Sequence, residues 1–214
     1  TNNRNTPVQV LGVGGTGYLQ DVIQITAYEG HFAALLKTGE VVVCGKNGNG
    51  DLGDNTATDR YTPVYMVNEN GTAPVNNVKK VEIGTSGTAI LKNDGSLWVA
   101  GYNYYGVSGQ GNRSANYRVK QVKSYTGSNT LNNIVDISMT NHMLALAEDG
   151  TVWAWGYNNY RQLGDNTTTI RSLPIHVLGE DGEVLENIVS VKAGHSSSFL
   201  TAADGTVYLS LIHI

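Results

Sequence analysis

One cysteine (Cys44), four prolines and two phenylalanines are all that the 214-residue chain holds of those residue types. A single thiol closes no internal disulfide and builds no zinc site alone. Charge is scarce as well: 14 Lys and Arg against 18 Asp and Glu leave a formal net charge of −4, with no basic block. Binding to phosphates or anionic lipid heads needs a basic face, so nucleic acid is not an expected partner and neither is a membrane surface. No apolar run approaches the roughly 20 residues of a membrane span, and no signal peptide opens the chain. Convincing helical periodicity is missing too. Glycine is abundant, with 26 residues, and so is tyrosine, with 12.

The glycines organise the chain. Gly39, Gly95, Gly150 and Gly205 stand 56, 55 and 55 positions apart. Gly45, Gly101 and Gly156 keep the same register, and Gly53, Gly109 and Gly164 follow eight positions later. Three columns in step define a repeat, with units from about residues 22, 78, 134 and 188. Each unit reads as β-structure, because runs such as "VVVC", "LWVA" and "VWAW" alternate with a period of two. Thr38-Gly39, Asp94-Gly95, Asp149-Gly150 and Asp204-Gly205 sit between two such runs and mark tight hairpins, for which Asp-Gly predicts a type I′ turn. The glycine ending the next strand lets the chain leave the sheet at an angle that other residues resist. A polar, Asn-rich loop follows, then "TPVYMV", "YRVKQV" or "LPIHVL", where proline suits an edge strand. Trp98 and Trp153 share an offset from the turn glycine, with Val42 and Tyr208 in the same series, so they are expected to share strand and facing.

A four-stranded unit cannot bury both faces alone, so the units must stack as propeller blades do. "WGYNNYRQLGDNTTTIRSLP" (residues 155–174) is the best match to the pattern G-x-N-x-x-G-Q-L-G after a short strand, and "CGKNGNGDLGDNTATDRYTP" (residues 44–63) is nearly as good. "AGYNYYGVSGQGN" (residues 100–112) is a weaker copy, with Ser108 where Leu52 and Leu163 stand. This pattern resembles the regulator of chromosome condensation repeat, in a bacterial-type member. The resemblance implies an all-β propeller of four-stranded blades, seven of them in most family members.

Several motifs compete for a chemical role. "GVGGTG" at residues 12–17 fits a dinucleotide fingerprint literally, but it lacks the strand-to-helix context and matches the loops that join one unit to the next. Cys44 with His31 as its base would make a nucleophile, yet Cys44 aligns with Ala100 and Trp155 and reads as buried packing. His31 and His142 share a register position without a partnering Asp, and His176 and His195 stand alone, so no catalytic residue and no cofactor site is expected. Asp51, Asp54 and Asp165, with Asn55 and Asn166, raise calcium. Their spacing fits Asx turns better, so no metal is expected. Asn70, Asn112 and Asn166 lie in sequons whose meaning depends on a secretory route. The tyrosines Tyr102, Tyr104, Tyr105, Tyr157 and Tyr160 cluster in equivalent loops and should gather on one rim. Tyr104, Tyr105 and Tyr160 are the candidate partner-binding residues, and Tyr102 and Tyr157 lean towards padding between blades.

The expected function is a non-enzymatic propeller presenting loops to a protein partner. The resemblance offers guanine nucleotide exchange on a small GTPase or an enzyme-inhibitor propeller as alternatives, and the tyrosine rim is compatible with carbohydrate binding. Low charge and abundant Asn, Thr and Tyr lean towards a secreted or surface protein. The last residues break the register. A glycine is due at position 211, but the chain reads "LSLIHI" over residues 209–214. That string is also the translation of a transposase end used in sequencing libraries. The expectation is a propeller fragment over residues 1–208, with three full repeats between two partial ones and a non-native tail.

Overall fold

The computed structural model describes residues 5–85 and 87–210. The first sheet pairs β1 (Val22–Tyr28), β2 (His31–Leu36), β3 (Val41–Gly45) and β4 (Arg60–Tyr65) in chain order. The second repeats that order with β5 (Val78–Gly84), β6 (Gly87–Lys92), β7 (Leu97–Gly101) and β8 (Asn116–Gln121). The third does so with β9 (Ile134–Met139), β10 (His142–Ala147), β11 (Val152–Gly156) and β12 (Arg171–His176). The fourth holds β13 (Ile188–Ala193), β14 (Ser198–Ala202) and β15 (Val207–Ser210). Every pairing is antiparallel. The proline-bearing segments are the outer strands β4 and β12, as the missing proline donor requires, and the proline-free β8 takes the same outer place in the second sheet. Residues 211–214, most of the unusual tail, lie outside the described residues, while Leu209 and Ser210 continue β15.

The second-to-third strand hairpins fall where the repeat glycines place them, but the turn is not type I′. Only the glycines have positive φ, from +78° to +88°, and Asp94, Asp149 and Asp204 do not. Gly95 N–H donates to the Lys92 carbonyl at 3.1 Å and Lys92 N–H to the Ser96 carbonyl at 3.0 Å, so the loop has three residues and glycine takes the left-handed place. The aspartate acts through its side chain instead. Asp94 Oδ1 accepts from the Ser96 N–H at 3.0 Å, Asp149 from Thr151 at 2.9 Å and Asp204 from Thr206 at 2.8 Å. A carboxylate that caps its own turn favours this loop over the two-residue one. "GVGGTG" is an inter-sheet loop with one 3-10 turn at Val13–Gly15, closed by a Leu11–Tyr18 bridge like the Val67–Pro74 and Lys123–Thr130 bridges further on.

Alternation along each strand builds the core between neighbouring sheets. Leu35, Val41 and Val43 of the first sheet meet Val81, Ile83 and Ile90 of the second. Leu91, Leu97 and Val99 meet Ile137, Met143 and Trp155 of the third. Leu144, Leu146 and Ala154 meet Val191 and Leu200 of the fourth. Trp98 packs back onto the first sheet and Trp153 back onto the second, so the two share facing as their common offset requires. Val42 pairs with Ala34 as Trp98 pairs with Ile90, and Tyr208 with Leu200, which extends the series across all four sheets. First strands of consecutive sheets touch, β1 with β5, β5 with β9 and β9 with β13, and so form the inner edge of an arc. Gln24 clamps this edge, with Nε2 donating to the Val81 carbonyl at 2.8 Å and Oε1 accepting the Val81 N–H at 3.1 Å.

Cys44 departs from expectation. Ala100 and Trp155, its equivalents, are buried between sheets, but Cys44 is only half-buried and its Sγ donates to the Arg60 carbonyl at 3.0 Å. Its face of the first sheet has no full sheet against it among the described residues.

Candidate functional site

In the first three sheets the third strand ends in a glycine that no other residue can replace without strain. Gly45, Gly101 and Gly156 have φ between +107° and +119°, and a Cβ on Gly45 would meet the Gly30 carbonyl oxygen at 2.2 Å. The chain is thereby turned out of the sheet into a loop whose second residue is always asparagine. Asn47, Asn103 and Asn158 are 0% exposed. Asn158 Oδ1 accepts the Leu163 N–H at 3.0 Å, and Nδ2 donates to Asp165 Oδ1 at 3.0 Å and to the carbonyls of Thr167 and Thr169 at 3.1 Å. Asn47 makes the same set with Leu52, Asp54, Thr56 and Thr58. A buried amide with both ends satisfied fixes a loop that has little apolar core of its own. The sequence pattern contains these asparagines, but nothing in composition marks them as buried. Their constant offset from a strand-ending glycine was the available signal.

Asp54 and Asp165 complete the same loops. Burial opposes ionisation of each, but hydrogen bonds from Thr56, Arg60 and Asn47 outweigh it for Asp54 and hold its carboxyl below the usual range. Thr167, Arg171 and Asn158 do the same for Asp165. The ion pairs measure 2.5 Å for Arg60 with Asp54 and 2.8 Å for Arg171 with Asp165. These carboxylates are committed to loop anchoring. Among the described residues, no group of three or more His, Cys, Asp or Glu could hold a metal ion. The second sheet replaces the pair with neutral residues: Gln110 takes the Asp position and donates to the Ser108 and Gln121 carbonyls, while Asn116 takes the Arg position.

The loops so fixed carry the tyrosines, and the structure brings all five into one run. Tyr102 stacks on Tyr104 with centroids 6.0 Å apart, and Tyr104 meets Tyr105 edge-on at 5.1 Å. Tyr105 crosses to Tyr157 on the third sheet at 4.7 Å, and Tyr157 meets Tyr160 at 6.0 Å. Tyr104 and Tyr160 are 56% and 43% exposed, whereas Tyr102, Tyr105 and Tyr157 are half-buried. Tyr105 also packs against the core between the second and third sheets, so this candidate is partly a wedge between blades. Partial burial and the neighbouring Tyr160 and Tyr105 hydroxyls raise the Tyr157 pKa. The run continues to the first sheet, where Asp51 Oδ1 accepts the Tyr102 N–H at 3.0 Å. There a cleft of about 350 Å³ opens, lined by Tyr28, Glu29, His31, Asp51 and Thr85 among others.

His142 and His176 are held by packing. His142 is 0% exposed, its Nε2 lies 2.8 Å from Ser198 Oγ, and burial drives its pKa down to about 3. Ser198 Oγ in turn donates to the Gln162 carbonyl at 2.6 Å, as Thr88 Oγ1 donates to that of Asp51 at 2.7 Å. These bonds tie each sheet to the loop before it. His176 is not isolated: its ring lies against Trp153 with centroids 3.6 Å apart and the planes tilted by 34°.

Two stretches of the chain match the regulator of chromosome condensation repeat, residues 149–201 and residues 22–51. These two stretches carry regulator of chromosome condensation repeats. It is 27% identical over 205 residues to the ultraviolet-B receptor UVR8 of Arabidopsis thaliana, covering 95% of this chain and 43% of the receptor. It is 26% identical over 194 residues to the human E3 ubiquitin-protein ligase HERC2, covering 88% of this chain and 4% of the ligase. The chain thus spans less than half the length of these relatives. Among solved structures, human WBSCR16 superposes with a TM-score of 0.71 at 17% identity, over 88% of this chain and 46% of that one. The yeast protein Prp20, in its complex with Kap60, superposes with a TM-score of 0.67 at 21% identity, over 88% of this chain and 43% of that one. These likenesses show the regulator of chromosome condensation propeller fold.

Proposed function

We propose that this repeat arc is a non-enzymatic interaction module that meets a protein partner through its third-to-fourth strand loops. The observation that carries the reading is the tyrosine run. Its inner members are wedged between sheets, while Tyr104 and Tyr160 offer their rings to solvent from loops fixed by buried asparagines. Rigid aromatic side chains lose little entropy on binding and supply large contact area, as interface anchors require. Pre-ordered loops lower the cost of association further. The yeast complex of Prp20 with Kap60 is consistent with protein binding on this fold. Catalysis has no support in the site, since Asp54 and Asp165 anchor loops and His142 is sealed between sheets.

The test is a pull-down with the chain as bait, comparing Tyr104→Ser/Tyr160→Ser with a control in which Tyr61 and Tyr117 are changed. Tyr61 and Tyr117 are exposed, lie on the fourth strands and make none of the ring contacts of the run. Loss of one specific protein with the first variant alone, at unchanged thermal stability, supports the reading. Equal capture by both variants removes it.

A further inference from the structure

We propose that the cleft between the first and second sheets receives an arginine side chain of the protein partner, an inference that rests on the interaction-module reading. The cleft holds about 350 Å³ and adjoins the tyrosine run, because Asp51 on its wall accepts the Tyr102 N–H. Both sheets that enclose it have four strands. By alternation His31 stands on the face of β2 that carries Ala33 and Leu35 into the core with the second sheet, while Phe32 faces the other way. The site is therefore internal to the arc and does not depend on what covers the outer face of the first sheet.

His31 supplies a buried polar atom at the floor of this cleft. The residue is 8% exposed, and its Nε2 has no hydrogen-bond partner among the described residues. The third sheet shows what that atom calls for. His142 occupies the same register, and its Nε2 lies 2.8 Å from Ser198 Oγ on the fourth sheet. Across the first junction Thr88 takes the place of Ser198, and each donates to the preceding loop, at the Asp51 and Gln162 carbonyls. Thr88 does not satisfy His31 as Ser198 satisfies His142. Burial outweighs the pull of Asp51 and Glu29 and lowers the His31 pKa, so the ring is neutral at pH 7. A neutral imidazole has one nitrogen that accepts a hydrogen bond.

Charge then selects the occupant. Three carboxylates, Glu29, Asp51 and Asp59, line the cleft against the single ammonium of Lys46, so its walls carry a formal charge of −2. Asp51 Oδ1 accepts the Tyr102 N–H at 3.0 Å and Asp59 Oδ1 accepts the Asn47 N–H at 2.8 Å. These bonds fix both carboxylates and leave Oδ2 of each without a donor among the described residues. Fixed acceptors in several directions suit a flat cation with several donors better than a point charge. A guanidinium presents five N–H groups in one plane, keeps its charge and sheds water more readily than an ammonium. Tyr28, also on the wall, offers it a ring to stack on.

A nuclear magnetic resonance titration of the 214-residue chain tests this without any substitution. The probes are acetyl-Gly-Arg-Gly-amide and its citrulline analogue, which has the same shape and no charge. The arginine peptide should shift the His31 ring signals saturably, and the citrulline peptide should bind about 10-fold more weakly. Glu29→Gln with Asp51→Asn should weaken the arginine peptide about 10-fold as well, the new amide still accepting the Tyr102 N–H. Glu148→Gln with Glu180→Gln removes as much charge from exposed residues that do not line the cleft, and should change nothing. Equal binding of the two peptides, or of neither, overturns the inference whatever the pull-down shows. In the pull-down, the Glu29/Asp51 variant should lose the same protein as the Tyr104/Tyr160 variant. Loss with the tyrosine variant alone overturns this inference and leaves the interaction-module reading standing, whereas capture unaffected by either variant removes both.

Discussion

A buried asparagine is a polar group in a place where water cannot rescue it, so its contribution is tested by removing the amide. Asn158→Ala leaves the Leu163 N–H and the carbonyls of Thr167 and Thr169 without their partner inside a closed loop. Each orphaned buried group costs about 1–3 kcal/mol, so urea unfolding should show a loss of about 3 kcal/mol. Asn103 holds the same three kinds of backbone group, of Ser108, Asn112 and Ser114, but lacks an aspartate partner, so Asn103→Ala should cost less. Equal losses would contradict this account. Arg161 makes a second case. It has φ +61° at the position where the other loops carry Gly50 and Gly106 at +80° and +78°. A left-handed conformation costs a non-glycine residue about 1–2 kcal/mol, and glycine's freedom in the unfolded chain returns part of it. Arg161→Gly should therefore raise stability by up to about 1 kcal/mol in the same assay. A Cβ at Gly50 would meet Tyr117 Cα at 2.7 Å and one at Gly106 would meet Ser172 Cα at 2.7 Å, both on the next sheet's fourth strand.

At the scale of the element, the loops after β3 and β11 and the hairpin histidines set how the sheets respond to acid. Asp54 and Asp165 are held below their ordinary pKa in the fold, so between the folded and unfolded values the unfolded chain binds more protons. Their contribution is complete above the unfolded value of about 3.9 and drains as pH falls through the folded one. His142 is depressed from 6.5 to about 3, so its contribution is complete above pH 6.5 and is lost as pH falls towards 3. Melting temperature should therefore decline in two stages, a first below pH 6.5 that His142→Gln weakens and a second at carboxylate pH that Asp165→Asn weakens. A flat profile from pH 7 to 5 would rule out the histidine contribution. Much of this architecture was legible beforehand, because glycine columns and alternating valines are local signals. They placed the hairpins, the outer proline strands and the common facing of Trp98 and Trp153. The turn type was misread because Asp-Gly serves both two-residue and three-residue loops, and the Asp94 carboxylate decides between them. The burial of Cys44 was misread because strand pattern reports which residues share a face, whereas the neighbouring sheet decides whether that face is covered. Sequence likewise gathered Tyr104, Tyr105 and Tyr160 on one rim. That Tyr105 is also a wedge between sheets depends on how the second and third sheets approach each other.

For the whole molecule, the arrangement is nearly one-dimensional, because each sheet packs only against its neighbours. In such an array stability is close to a sum of unit terms and interface terms, and a damaged interface lets the two sides unfold separately. The interface between the second and third sheets is the place to test this. Trp155 is 0% exposed there, and its Nε1 donates to the Val107 carbonyl at 2.7 Å across the junction. The first-to-second junction has Ala100 at the same position, packed beneath Gly53, where a Cβ would meet the alanine Cβ at 2.9 Å. Trp155→Ala removes the largest side chain of the core and leaves the Val107 carbonyl unpaired, at a cost of about 3–5 kcal/mol. The loss falls on a junction and not within a sheet, so cooperativity should suffer more than secondary structure. Far-ultraviolet circular dichroism of the variant should stay close to that of the parent at 25 °C, while urea unfolding splits into two transitions of smaller slope. Hydrogen exchange then assigns the halves. Amides of β6 and β7 should open with those of β2 and β3, and amides of β10 and β11 with those of β14. A single transition of undiminished slope would show that the sheets are coupled through the inner edge instead, where Lys80 Nζ reaches Asp136 Oδ1 and the Ile137 carbonyl at 2.7 Å each. In that event Lys80→Met becomes the substitution that divides the arc.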